Sequence, residues 1–222
     1  PFTRRLANAA PVIGFVPEQH QMLEEWTEST LDLLDHHFSR CDYLLGGRPT
    51  IADYALLASF FGHLNRDPAP KRILMSSRAN LTAWVERTHN GDHTNGGLPD
   101  SDALPDTLMP VLQRVFEEFL PMVESYRDVL NAYIDKHSLH SGDKIPRFLK
   151  KAEFPMGDEV FRRQAMPYTL WMMQRVQMKF LQMSIEDQHK VDVWLEKTCG
   201  QKLSSLDLGP RLLRDGLSTI IA

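Results

Sequence analysis

The sequence predicts an all-α protein. Three observations carry that prediction. Apolar residues recur at spacings of three and four along most of the chain, two capping-box patterns each stand in front of such a run, and strand signals are nearly absent. With 222 residues, the chain is long enough for one large domain or two small ones and can bury a core without staples.

Bulk composition narrows the function classes. Hydrophobic residues at 42% and charged residues at 24% are ordinary for a soluble globular protein. A net charge of −4, with no basic stripe alternating with aromatics, excludes nucleic acid as an expected partner. No apolar run approaches the roughly 20 residues that a membrane span needs. Cys41 and Cys199 lie far apart without paired spacing, which points to a reducing compartment and a cytoplasmic location.

Taken in order, the first stretch, PFTRRLANAA, reads as the tail end of a helix whose beginning is not in this chain. Arg4 and Arg5 with no acid before Glu18 also suit a transit peptide, but the Ser richness of such peptides is missing. Glu18 to Phe38 is amphipathic, with Leu23, Trp26, Leu31, Leu34 and Phe38 on one side. In LLGGRPTIADYALL the apolar run stops at Gly46-Gly47 and restarts on Thr50. Thr50 is an N-cap whose hydroxyl can accept from the backbone N–H of Asp53, while Asp53 reaches back to the N–H of Thr50. The helix that follows, to about His63, is apolar almost all round and is expected to be buried. NRDPAPKR breaks the chain, and a helix resumes near Ser77 with Leu81, Trp84, Val85 and Thr88 on one face.

Residues 91–105, rich in Gly, Asn and Asp, form the expected linker. A second helical block opens at Asp106 or Thr107, with Leu108, Leu112, Val115, Phe119, Met122, Tyr126, Leu130 and Tyr133 in register; Pro121 should kink or split it. The stretch from Lys136 to Pro167 is irregular, with a small hairpin suggested at Met156-Gly157-Asp158. Pro167 suits the first residue of another helix, Ser184-Ile185-Glu186-Asp187 opens one through Trp194, and Gly200 suits its C′ position.

Chemistry-bearing patterns are scarce, and no catalytic residue is assigned. His89 with His93, and His137 with His140, do not supply the three or four converging ligands of a zinc site, so no metal is expected. Cys41 sits at a helix end, where the dipole does not favour a thiolate. No GxGxxG, GxxxxGK[ST] or GxSxG motif occurs. In PYTLWMMQRVQMKF, Gln174 and Arg175 interrupt the apolar face made by Trp171, Met172, Val176 and Phe180. The bland reading is a core stripe with a snorkelling Arg. The functional reading is a pocket wall of Trp171, Gln174 and Arg175, with Arg114 as a further candidate.

The order Gly47, Thr50, Asp53, Trp84, within YLLGGRPTIADYALLASFFGHL and ANLTAWVERTH, resembles the C-terminal helical domain of the glutathione S-transferase family. Asn80 stands where many members have a proline. The resemblance implies a transferase-type helical bundle over residues 1–90, with a helical extension over 106–222 packing on it. It implies glutathione as the co-substrate, a small hydrophobic electrophile as second substrate, and a homodimer. The thioredoxin-like domain that holds glutathione and activates its sulfur is not seen in these residues, so this chain alone is expected to be inactive. The alternative is a non-catalytic helical binding module, presenting apolar residues such as Phe2, Leu6 and Val12 to a partner. Thr50 and Asp53 are expected to be structural.

Overall fold

The computed structural model describes residues 7–92, 96–98, 103–199 and 202–222. Phe2, Leu6, His93, Gly200 and the first part of the expected helix tail lie outside these residues. The chain divides into two compact units: residues 23–112, and the described part of 1–22 together with 113–222.

The helical unit takes in most of α1 (His20–Phe38), then α2 (Ile51–Ser59) and α3 (Ala79–Asn90). A π turn, Phe60–Leu64, continues α2, and a second, Lys71–Met75, precedes α3. Leu31, Leu34 and Phe38 of α1 meet Leu81, Trp84 and Val85 of α3, with Tyr43, Leu44, Phe60, Met75 and Leu108 completing the core. Phe38 stacks on the Trp84 indole at 4.6 Å, and Phe60 meets it edge-on at 5.8 Å. Across the helix ends, Asp35 of α1 accepts from the Leu81 N–H at 2.9 Å and from the Asn80 amide at 3.1 Å. Those bonds give Asn80 a part in fixing the start of α3. Arg78, 7% exposed, is held by the Asp32 carboxylate at 2.7 Å and the Glu28 and Leu74 carbonyls.

The expected all-round burial of α2 is not what the structure shows. Ile51 and Tyr54 are 88% and 46% exposed, and Ala55 and Ala58 are exposed on the same side. Only Asp53 within α2 and Phe60 just beyond it are buried, with Leu56 and Leu57 partly so. A short helix packed on one layer buries one face; of its six exposed positions, Ile51, Tyr54, Ala55 and Ala58 follow the helical repeat along the other.

The second unit corrects the all-α expectation, because it is mixed. From α4 (Met109–Arg114) the chain passes through a π turn, Val115–Phe119, into α5 (Leu120–His137). Pro121 lies in the first turn of α5. It has no N–H to continue the ladder, and the slip to the wider turn falls just before it, where a kink or split was expected. Beyond α5, β1 (Lys144–Ile145), β2 (Lys151–Met156) and β3 (Glu159–Gln164) precede α6 (Pro167–Leu181) and α7 (Ile185–Cys199). Strands β4 (Leu212–Asp215) and β5 (Ser218–Ile221) end the chain. Two antiparallel sheets result, the hairpin β2–β3 and the three-stranded β1–β5–β4.

Both sheets follow from alternation that helix-length windows average away. In β2, Ala152 and Phe154 point inward while Lys151 and Glu153 point out; Phe154 meets Tyr126 of α5 at 6.1 Å. The hairpin turns at Gly157, as suggested. Strands β4 and β5 flank the two-residue turn Gly216-Leu217, with Gly216 at φ +57°.

Residues near the chain start belong to this mixed unit. Gly14, at φ +87°, lies against Phe161 and the Arg162 carbonyl of β3. The Gln19 amide donates to the Gly14 carbonyl at 2.6 Å and the Arg162 carbonyl at 3.0 Å, and accepts from the Arg162 N–H at 2.7 Å. At the other junction Leu108 is buried in the helical core. The compact units therefore run 23–112 and 7–22 with 113–222, where the expected division was 1–90, 91–105 and 106–222.

Candidate functional site

Asp53 is the polar centre of the helical unit. Its carboxylate is fully buried and gathers four donors. Oδ1 accepts from the Leu44 N–H at 2.9 Å and from the Trp84 indole N–H at 3.1 Å. Oδ2 accepts from the Thr50 N–H at 2.8 Å and the Thr50 hydroxyl at 3.0 Å. Thr50 is extended (φ −120°, ψ 175°), and the capping box is formed. The Gly46 turn makes this possible. Tyr43 and Gly46 exchange backbone bonds at 2.9 and 3.2 Å, with Gly46 at φ +128°, so the chain folds tightly enough to turn the Leu44 N–H toward Asp53. One carboxylate thus ties the turn, the start of α2 and the middle of α3. With its lone pairs committed to these donors, Asp53 holds the fold together and offers no free base.

A second polar group surrounds Cys41. His37, fully buried at the end of α1, shares a 2.9 Å hydrogen bond between Nδ1 and the Thr107 hydroxyl. That hydroxyl also bonds the Cys41 thiol. Burial pushes the thiol above its usual range, outweighing the Thr107 bond that favours the thiolate. Burial also holds His37 below the ordinary histidine value. An activated cysteine needs the opposite shift and direct contact with a base; here a hydroxyl intervenes. The trio fills space: Thr107 engages Nδ1 of His37, while Nε2 stays buried without a hydrogen-bond partner.

The expected pocket wall on α6 is divided by the structure. The Arg175 guanidinium sits over the Trp171 ring at 5.0 Å, with its own side chain in solvent. Gln174 is buried and turned to another task. Its amide N–H₂ donates to the carbonyls of Leu208 at 3.2 Å and Pro210 at 2.8 Å, and its oxygen accepts from the Leu212 N–H at 2.9 Å. Both donors are engaged, so Gln174 fixes the segment that leads into β4. Trp171 instead meets Tyr168 at 5.4 Å and Arg214 of β4 at 5.7 Å. Arg214 was missed because it lies 43 residues beyond Trp171 by number, in a strand of four residues. The Asp215-Gly216 turn signal beside it could have found that strand.

Among the described residues no group of three or more His, Cys, Asp or Glu side chains is placed to hold a metal ion. No described helix is long and apolar enough to cross a membrane.

A small helical domain organised on a buried N-capping carboxylate and a buried tryptophan is the class that the helical unit defines. Residues 17–91 match the family model for the glutathione S-transferase C-terminal domain. The match reaches Gly91, and the mixed unit lies outside it apart from Pro17–Met22. No curated protein and no solved structure gave a significant match.

Proposed function

We propose that the helical unit is the substrate-side domain of a cytoplasmic, homodimeric glutathione S-transferase-like protein. It works together with a thioredoxin-like domain that binds glutathione. The reaction is attack of the glutathione thiolate on a small hydrophobic electrophile: a carbon–sulfur bond forms and the leaving group departs with its electron pair. The helical unit contributes an apolar wall and no reacting group.

The observation that supports this reading is the exposed apolar stripe Ile51, Tyr54, Ala55 and Ala58 on α2. It stands on the helix that Asp53 locks in place, so its geometry is rigid, and a face of this kind suits contact with another domain. The alternative reading, a non-catalytic binding module, draws support from the Cys41 trio, whose thiol and imidazole are both shifted away from reactivity.

The deciding experiment is the intact mass of the native protein in its source cell, followed by a glutathione-conjugation assay on that purified protein. A mass above 25.5 kDa by about the size of a small domain, with conjugating activity, supports the transferase reading. A native protein of 25.5 kDa without activity overturns it in favour of the binding module.

A further inference from the structure

We infer that the mixed unit carries a binding pocket for a small organic oxyanion with an apolar or aromatic body. The pocket lies beside the β1–β5–β4 sheet at the start of α6 and has a volume of about 400 Å³. That falls within the roughly 300–1,000 Å³ of small-molecule sites. Arg147, Arg214, Tyr168, Ser218, Thr219 and Ile145 line it.

The sheet register explains how they converge. Ile145 and Arg214 both pair with Thr219, so all three side chains project from one face. Arg214 is pre-positioned by neutral partners only. It donates to the Thr219 hydroxyl at 3.3 Å and the Gly216 carbonyl at 3.0 Å, and lies 5.2 Å from the Tyr168 ring centre. Arg147 lies over the Phe148 ring at 5.4 Å. Among the described residues neither guanidinium forms an ion pair, and the lining contains no acid. Asp215, the nearest acid in sequence to Arg214, alternates to the other face and pairs with Lys144 at 3.4 Å.

Two uncompensated guanidiniums on one cavity create a positive potential that an oxyanion relieves, and their forked donors match carboxylate or phosphate oxygens. The exposed Tyr168 ring and Leu217 side chain, both in the lining, would stay wet around an inorganic anion, which is why the ligand needs an apolar body.

The test is calorimetric titration of the full chain with phenyl phosphate, with phenylacetate, and with benzyl alcohol as the neutral counterpart. At least one anion binds at low salt, more weakly as salt rises, and the tighter of the two identifies the headgroup. Arg147→Gln and Arg214→Gln each weaken that binding by about tenfold or more. Arg214 also anchors the β4–β5 turn, so the exposed Arg147→Gln is the variant that separates binding from folding, with an unchanged circular dichroism spectrum as its control. Absence of binding by both anions overturns the inference. So does equal binding of benzyl alcohol, or wild-type affinity in Arg147→Gln.

Discussion

Replacing Asp53 by Ala removes the acceptor for four donors at once, and the size of the loss follows from where those donors lie. The Leu44 N–H and the Trp84 indole N–H belong to buried residues, 8% and 0% exposed. Each is left without a partner, at about 1–3 kcal/mol. Thr50 is only half-buried and its N–H can turn to water, so there the loss is that of an N-cap, about 0.5–2 kcal/mol. The sum is about 3–8 kcal/mol. Against a total domain stability of about 5–15 kcal/mol, this comes close to unfolding the helical unit. Even the lower figure shifts the melting midpoint by roughly 12–24 °C. The assay is thermal and urea unfolding of the full chain by far-UV circular dichroism, alongside Trp84→Phe and the double variant. Because Trp84→Phe deletes one of the orphaned donors, the double variant should be less destabilised than the sum of the singles by about 1–3 kcal/mol. A loss below about 1 kcal/mol in Asp53→Ala, or strict additivity in the double variant, refutes the reasoning.

Three further outcomes follow from the geometry. Gln174→Ala leaves the Leu212 N–H without its acceptor and should cost about 2–4 kcal/mol in urea unfolding, whereas the exposed Arg175→Ala should stay within about 0.5 kcal/mol. Gly14→Ala meets both φ +87° and a Cβ placed 2.4 Å from Phe161 and 2.7 Å from the Arg162 carbonyl; thermal melts should show at least about 2 kcal/mol of destabilisation. His37 gives a pH signature. The unfolded chain takes up its proton near the ordinary value of 6.5 and the folded chain only at lower pH, so stability falls as pH drops through that window. The melting midpoint should decline from about pH 7 to pH 5, and His37→Gln should flatten that decline; an identical slope in the variant would contradict the assignment.

Much of the helical unit could be read from residue types because its determinants are local. Thr50 and Asp53 are three apart, and the face of Leu81, Trp84, Val85 and Thr88 is a single helical repeat, all four buried in α3. Pro167 begins α6 and Ser184 bonds Asp187 at the start of α7 for equally local reasons. The third and fourth links to Asp53, from Leu44 and Trp84, span 9 and 31 residues, and no local pattern announces them. The exposure of α2 escaped for a related reason. An apolar helix looks the same in sequence whichever side its neighbours occupy, and only the placement of Asp53 and Phe60 decides it. In the candidate wall on α6, Gln174 and Arg175 are adjacent in sequence but differ in what surrounds them. The partners of Gln174 lie 34 to 38 residues away, in the segment leading into β4. The four-residue strands β4 and β5 are too short to show a period against the helical background.

The bonds from Gln19 to Arg162 bridge 143 positions of chain. On the ribosome, residues 7–22 emerge early but cannot find β3 until the helical unit and α5 have been synthesised. The helical unit is therefore free to fold before Gly14 and Gln19 meet their partners in β3. The same geometry bears on where the chain can be cut. A fragment begun at the family-match boundary, residue 17, keeps Gln19 but loses the Gly14 carbonyl that orients its amide. A fragment begun at residue 23 leaves the Arg162 N–H of β3 without its side-chain acceptor. Expression of the mixed unit from residue 113 alone should give an aggregation-prone product, and supplying residues 7–22 as a separate peptide should restore its solubility.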